Sequence, residues 1–412
     1  MICENGICTG CGACFAICPK HCITMATDQL GKFTPKINQS LCIACNLCKK
    51  VCPQNNNVPF YRPNGVFACY STNSEIYANA ASGGVATSLY LTALHNHWFV
   101  MGTKFTKNGV VFEVLASEQD IAWACNSKYV FSDMLTNDVF LLYYEALKGG
   151  KPCLFIGLPC QVASLISFVK TKNNRLLARL YCIDIICHGT PPWKYLREHL
   201  DSIEKISRKK GSVDTVKFRS KKKGYYFECL AENHIVYGRA MLANDAYGHG
   251  FLSNLIFNEN CYACIYATEE RVGDITIGDF DGLGERYAYQ GKRGVVSVVM
   301  VHSEKGKILL QLLENIDLLY MEQRPLDEPY LSPVNAQLHH PSIPHKKRAF
   351  FLEEYETCAN FQRAVKKALG LEFYSYYIGM QQNRQRLKNL LTKVLKKISP
   401  RFFYFLKTLK QK

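Results

Sequence analysis

The apolar positions of this chain fall into two textures. Up to about residue 53 they are broken every few residues by cysteine, glycine or proline, and neither a helical nor a strand period is sustained. A polar linker follows, Gln54-Asn55-Asn56-Asn57-Val58-Pro59 and then Arg62-Pro63-Asn64-Gly65. Beyond it, short apolar runs alternate with longer stretches that repeat every three or four residues. Val66–Ser71, Trp98–Phe105, Val110–Ala116, Lys151–Gly157 and Leu180–Cys187 read as strands. Helices are predicted from Ser82-Gly83-Gly84 to about Asn96, over Met134–Leu147, from Cys160, and from Pro191 to about Ile206. Strands separated by helices predict α/β construction with part of the sheet parallel.

Further on, Val213–Arg219, Tyr225–Leu230 and Ile235–Tyr237 predict an antiparallel hairpin set. Asp274–Gly278 and Val295–Val301 return to buried strands, and Glu304–Asn315 to a helix. Residues 324–347 carry five prolines and no period, which predicts a long surface loop. Helical patterning resumes from about Leu352, with breaks expected near Gly370 and Pro400.

Composition narrows the class. The chain has 412 residues, enough for two or three domains, with 48% hydrophobic and 20% charged residues, as in a soluble globular protein. No run reaches the roughly eighteen apolar residues that a membrane span needs. The first residues show no basic stretch leading into an apolar one, so no secretory signal is expected. The twenty cysteines stand in tight metal-type spacings, which suits reduced thiolates in a cytoplasmic setting better than a disulfide framework. The net charge of +16 is concentrated: residues 363–412 hold thirteen Lys or Arg against Glu372 alone, a net of +12, which leaves +4 for the other residues. With no nucleic-acid signature beside it, a basic tail is expected to meet an anionic membrane or an acidic protein, and no nucleic acid.

The cysteines carry the chemistry. Cys8-x2-Cys11-x2-Cys14-x3-Cys18-Pro19 is followed by Cys42-x2-Cys45-x2-Cys48-x3-Cys52-Pro53. Two-residue spacers bring three sulfurs to one side of a tight loop, and the fourth cysteine of each run serves the other cluster. Cys8, Cys11, Cys14 and Cys52 are assigned to one 4Fe-4S cluster, and Cys42, Cys45, Cys48 and Cys18 to the second. A pair of zinc sites would call for neither the third cysteine nor the Cys-Pro ending. Cys3 and Cys22 lie outside the pattern and are not expected to be ligands.

Four further cysteines stand at predicted element ends. Gly157-Leu158-Pro159-Cys160-Gln161 joins a strand to a helix, and Cys187-His188-Gly189-Thr190-Pro191 ends the next strand. Parallel neighbours would deliver both thiols to the carboxyl edge of the sheet, where α/β proteins bind ligands. Cys261-Tyr262-Ala263-Cys264 precedes Gly273-Asp274-Ile275-Thr276-Ile277-Gly278-Asp279. A Cys-x2-Cys pair alone fits half a zinc site equally well, and lone strand cysteines such as Cys153 and Cys182 read as core filling. Four candidates at element ends favour a third cluster.

These blocks, with Ser82-Gly83-Gly84 and Ser127-Lys128-Tyr129-Val130, follow one another from about residue 65 to 345. In that order they resemble the coenzyme F-420 hydrogenase/dehydrogenase beta-subunit family, in the form with an N-terminal ferredoxin extension. The resemblance implies FAD beside one 4Fe-4S cluster held by Cys160, Cys187, Cys261 and Cys264, and hydride exchange between the flavin and a substrate. Similar architectures occur among bacterial polysaccharide-biosynthesis proteins, so the hydride acceptor need not be a deazaflavin. Ser82, Gly83 and Gly84 are candidates to bind phosphate at a helix start, or form a simple cap with small packing residues. Lys128 and Tyr129 would contact phosphate and isoalloxazine, or form an ordinary strand-edge pair. His188 would shuttle a proton, or only orient its loop. No Gly-x-Gly-x-x-Gly dinucleotide fingerprint is present.

The expected architecture is an α+β ferredoxin-like dicluster module (1–57), a mixed α/β catalytic domain (65–345) and a basic helical C-terminal tail (350–412). The expected activity is that of an oxidoreductase with three 4Fe-4S clusters and FAD, fed by a soluble ferredoxin-type donor or a partner redox subunit. Its rival is a non-catalytic electron-carrier subunit that docks a larger complex.

Overall fold

A computed structural model describes residues 2–371 apart from residue 5 and segments 56–57, 207–211, 221–222, 243–244 and 316–317. The break expected at Pro400 and most of the basic tail lie outside the described residues.

The cysteine-rich start forms a small module. β1 (Ile23–Thr27) and β2 (Phe33–Ile37) pair antiparallel in the register Ile23↔Ile37, and short helices Ala13–Ala16 and Leu47–Val51 carry cysteines of the two quartets. The module is docked on the larger domain. Ala13, Ile17 and Val51 share one buried core with Val162, Leu165 and Phe168, and the Ser167 hydroxyl donates to the Val51 carbonyl at 2.8 Å.

The main strands follow as β3 (Gly65–Ser71), β4 (Phe99–Thr106), β5 (Gly109–Val114), β6 (Ser132–Asp133), β7 (Cys153–Gly157) and β8 (Leu180–Ile185). After them come β9 (Thr215–Ser220), β10 (Gly224–Ala231), β11 (His234–Ala240), β12 (Ile275–Asp279), β13 (Ser297–Val301) and β14 (Leu319–Arg324). Nine of them, among the described residues, form one mixed sheet in the order β14-β3-β13-β12-β8-β7-β4-β5-β6. Its centre is parallel: β12, β8, β7 and β4 run the same way, while β13 is antiparallel to both β12 and β3.

β7 explains why the centre holds. All five of its residues are buried, and its alternate side chains feed different cores. Cys153 and Phe155 join the core under helices Val139–Lys148 and Pro159–Asn173, whereas Leu154 and Ile156 join that under Val85–His95 and Glu304–Asn315. Cys153 and Cys182 are thus core filling, as expected.

The hairpin set is the antiparallel sheet β9-β10-β11. It shares a core with helices Trp193–Ile206, Ala246–Leu252, Arg348–Cys358 and Phe361–Leu369, through Leu196, Phe227, Tyr247, Phe351 and Phe361. The start of the C-terminal stretch is therefore packed into this lobe. Asn360 caps its last described helix by accepting from the Arg363 N–H at 2.9 Å, and Gly370 ends it at φ 65°, the break expected there.

Three expectations are corrected. The helix expected over Met134–Leu147 begins only at Val139. Before it, the Asp133 carboxylate takes the Leu135 N–H at 2.7 Å and the Thr136 hydroxyl, and Asp138 sits at φ 46°, so a turn replaces the first helical turn. β14 is an addition to the expected strands, because an edge strand carries polar residues among its apolar ones. The stretch 324–347 is not simply a surface loop: Arg324, Glu328, Asn335, Gln337, Leu338 and Ser342 are buried. Arg324 clasps both carboxylate oxygens of Glu328, at 2.7 and 2.9 Å, so a paired charge sinks a polar segment that hydropathy leaves outside.

Candidate iron–sulfur and ligand site

Cys8, Cys11, Cys14 and Cys52 line one cavity of the N-terminal module. The sharp loop between them passes through Gly12 at φ 82°, where a Cβ would meet the Leu135 side chain at 2.2 Å. Burial and the neighbouring thiols push Cys11 up to about 11 and Cys14 higher still. In the second set Cys18 and Cys42 both contact Cys22, with Cys18 Sγ 3.4 Å from Cys22 Sγ, and Cys45 is exposed. Cys3 lies in hydrogen-bond contact with Cys8 and Cys52. Both cysteines outside the motif thus rest against a quartet, a proximity the spacing did not indicate.

Cys160, Cys187, Cys261 and Cys264 line another cavity, together with Thr9 and Gln54 of the N-terminal module. Thr9 and Gln54 border the first cavity too, so the two thiol sets stand back to back. Cys160 is the second residue of helix Pro159–Asn173, whose start is fastened by the Gln161 side chain accepting from the Leu158 N–H at 3.0 Å. Cys187 follows β8, which pairs parallel with β7 in the register Gly157↔Asp184. The turn Glu259–Ala263 brings Cys261 and Cys264 alongside; Asn258 anchors it through its backbone N–H and side-chain amide, which donate to the Thr190 carbonyl at 2.9 and 2.8 Å. Burial, then mutual repulsion, pushes Cys160 well up, and burial followed by the nearby thiols raises Cys187 to about 12. Four thiolates could persist there only around a compensating positive centre.

Arg271 also borders this cavity, and sequence reasoning missed it. Its guanidinium is buried and donates to Asp184 Oδ1 from Nη2 at 2.7 Å and Nε at 3.1 Å, and to the Tyr266 carbonyl at 2.9 Å. Asp184 also accepts from the Gly273 N–H and the Thr276 hydroxyl, each at 2.8 Å. Nothing in a lone Arg or a strand Asp signals this pairing across 87 residues.

The remaining candidates lie along the carboxyl edge of the sheet. Asp279 ends β12 opposite Ser297, which in turn pairs with Cys69 of β3. The Ser297 hydroxyl accepts from the Gly83 N–H at 2.8 Å and contacts Ser82 Oγ at 3.0 Å. A Cβ on Gly83 would stand 2.3 Å from the Cys69 carbonyl oxygen, so glycine is required for this approach. Gly84, at φ 97°, then opens helix Val85–His95 without a side-chain cap. Burial makes His188 less ready to protonate, which the nearby Asp279 charge opposes. Arg219 of β9 pairs with Asp279, approaches the Tyr129 hydroxyl at 3.5 Å and covers the Tyr225 ring at 4.6 Å. Tyr129 stacks on Phe251 at 4.5 Å. Lys128 turns the other way: its ammonium donates to the carbonyls of Trp123, Ala124 and Cys125 at 2.8–3.1 Å, and burial lowers it to about 8. It closes the end of a short helix rather than facing the edge.

Fold and thiols together define a mixed α/β protein joined to an N-terminal dicluster module. Residues 7–56 match the model of the 4Fe-4S dicluster domain, a class that carries at least one 4Fe-4S cluster. Residues 150–326 match the model for the C terminus of the coenzyme F420 hydrogenase/dehydrogenase beta subunit. A chain of the F420-reducing NiFe hydrogenase complex from Methanosarcina barkeri is similar at 15% identity and a TM-score of 0.44, over 67% of this chain and 87% of that one. At that level the likeness carries no argument. No curated protein matches. Among the described residues no helix is long and apolar enough to cross a membrane.

Proposed function

We propose that this chain is an iron–sulfur flavoprotein oxidoreductase that carries single electrons from a ferredoxin-type donor or partner redox subunit to FAD, for hydride exchange with a deazaflavin-like substrate or another hydride acceptor. The observation that carries the reading is the meeting of Cys160, Cys187, Cys261 and Cys264 around one cavity that abuts the first N-terminal thiol set. Thiols spread around a cavity suit a multi-iron cluster better than a zinc ion, whose sulfurs sit about 2.3 Å from one centre. On this reading Cys8, Cys11, Cys14 and Cys52 hold one 4Fe-4S cluster, Cys18, Cys42, Cys45 and Cys48 a second, and the four later cysteines a third.

FAD, when bound, supplies the junction between one-electron and hydride chemistry. The carboxyl edge fits such a group in part. The uncapped helix start at Gly84 offers backbone N–H donors to a diphosphate, with Ser82 and Gly83 shaping the approach. Tyr129, backed by Phe251, offers an aromatic face. Lys128 has no part in this reading, because its ammonium is committed to carbonyls. His188, beside Asp279 and made less ready to protonate by burial, is the group that would hold and release a proton at this edge.

Anaerobically prepared protein should contain about twelve iron and twelve sulfide per chain with bound flavin. About eight iron with one zinc would remove the third cluster. Full iron without flavin would instead favour an electron-carrier subunit.

A further inference from the structure

The N-terminal module is asymmetric in what it shows to solvent. The first thiol set faces inward, sharing Thr9 and Gln54 with the third cavity. In the second, Cys45 is exposed, and so are its neighbours Leu41 at 55% and Ile43 at 57%. Two large apolar side chains are thus exposed within four positions of a candidate cluster ligand. Its neighbourhood along the chain is basic. Residues 36–57 contain Lys36, Lys49 and Lys50 and no Asp or Glu, and Lys36 and Lys50 are exposed. Lys20 is exposed as well, two positions after Cys18, whose contact with Cys22 ties it to the same set.

We propose that the face formed by Leu41, Ile43 and Cys45, rimmed by Lys20, Lys36 and Lys50, is the docking surface for a small acidic one-electron carrier protein. The proposal deepens the electron-transfer reading and rests on it. An apolar centre inside a rim of one charge sign is the form of a transient redox contact, where the rim steers encounter and a small area allows rapid release. The rim selects the occupant. The basic tail, net +12 over residues 363–412, is repelled from it, and a second copy would set lysine against lysine. One electron leaves the carrier, which is oxidised, and arrives at the second N-terminal site, which is reduced; no bond forms and no proton moves. The back-to-back thiol sets then lead inward from this face.

The test uses the full chain, prepared anaerobically, with an acidic bacterial-type ferredoxin as probe. Binding of the oxidised probe and the rate at which the reduced probe bleaches the N-terminal clusters are both measured between low and moderate salt. Wild-type binding and rate should each fall by about tenfold or more as salt rises. The doubly substituted Lys36→Glu/Lys50→Glu chain should show the same loss already at low salt, and Leu41→Ser/Ile43→Ser should weaken binding while leaving its salt dependence. Reduction by dithionite and iron content should match wild type in all variants. Salt-independent binding by wild type, or unchanged affinity in the charge-reversed chain, would overturn the proposal. So would self-association through Leu41 and Ile43 with no effect on the probe. These readouts stop at the N-terminal clusters, so a missing flavin or third cluster leaves them intact, and either reading can fail alone.

Discussion

Arg271→Met tests whether the buried pair beneath the third thiol cavity holds the site together. The substitution removes a buried guanidinium and leaves the Asp184 carboxylate with only the Gly273 N–H and the Thr276 hydroxyl, while the Tyr266 carbonyl loses its donor. Stranding one member of a buried ion pair costs about 3–5 kcal/mol. Converting the stranded charge to an amide should return part of that, so Arg271→Met/Asp184→Asn is expected to be about 1–3 kcal/mol more stable than the single variant. The introduced amide keeps one oxygen to accept from the Gly273 N–H and turns its NH2 to the Thr276 hydroxyl, which can accept, so asparagine is preferred to leucine here. Cluster loss would make equilibrium unfolding irreversible, so the comparison belongs in unfolding rates at one urea concentration, under anaerobic conditions. Trp98 stacks on Tyr181 at 4.5 Å, on the same strand as Asp184, and reports the loss by fluorescence. If the cost falls on the barrier to unfolding, the single variant should unfold faster by about two powers of ten or more. An acceleration of less than about threefold, or a double variant that unfolds faster than the single one, would refute the pairing argument.

Two further outcomes are expected. Cys160→Ser should lower iron to about eight per chain while the N-terminal clusters remain, because those sites draw on other thiols; flavin reduction by reduced ferredoxin should then slow by orders of magnitude, and both half-reactions surviving at wild-type rates would show that electrons bypass Cys160. Burial lowers His302 to about 4, with its Nε2 2.9 Å from the Thr276 hydroxyl, so the folded chain refuses a proton that the unfolded chain binds below about 6.5. This contribution is full above that pH and is lost as pH falls toward 4, amounting to about 2 kcal/mol between pH 6.5 and 5; His302→Gln should flatten that part of the stability profile, and equal slopes in both proteins would disprove it.

Much of the molecule was legible along the chain. The first N-terminal quartet, Cys8, Cys11, Cys14 and Cys52, lines one cavity as its spacing implies, since a tight loop with two-residue spacers presents its thiols to one side. The five buried residues of β7, the antiparallel set β9-β10-β11 and the break at Gly370 follow from local period and turn chemistry, which act over a few residues. Cys160 and Cys187 were legible as a pair because parallel strands deliver their carboxyl ends to one edge. What failed was polar burial. Arg324 with Glu328 and Arg271 with Asp184 sink charged residues that any hydropathy pattern leaves outside, and β14 hides its pairing in a half-polar edge.

Local sequence therefore determined most element types, the first N-terminal thiol set and the positions of Cys160 and Cys187 after parallel strands. Only the tertiary structure decided which thiol sets stand back to back, that Lys128 spends its charge on a helix end, and that Arg271 lies under the third cavity. The physical reason is range. Backbone period and loop spacing act between near neighbours, whereas a buried charge is tolerable only once a partner, 87 residues away for Arg271, has been brought to it by the packing of the sheet.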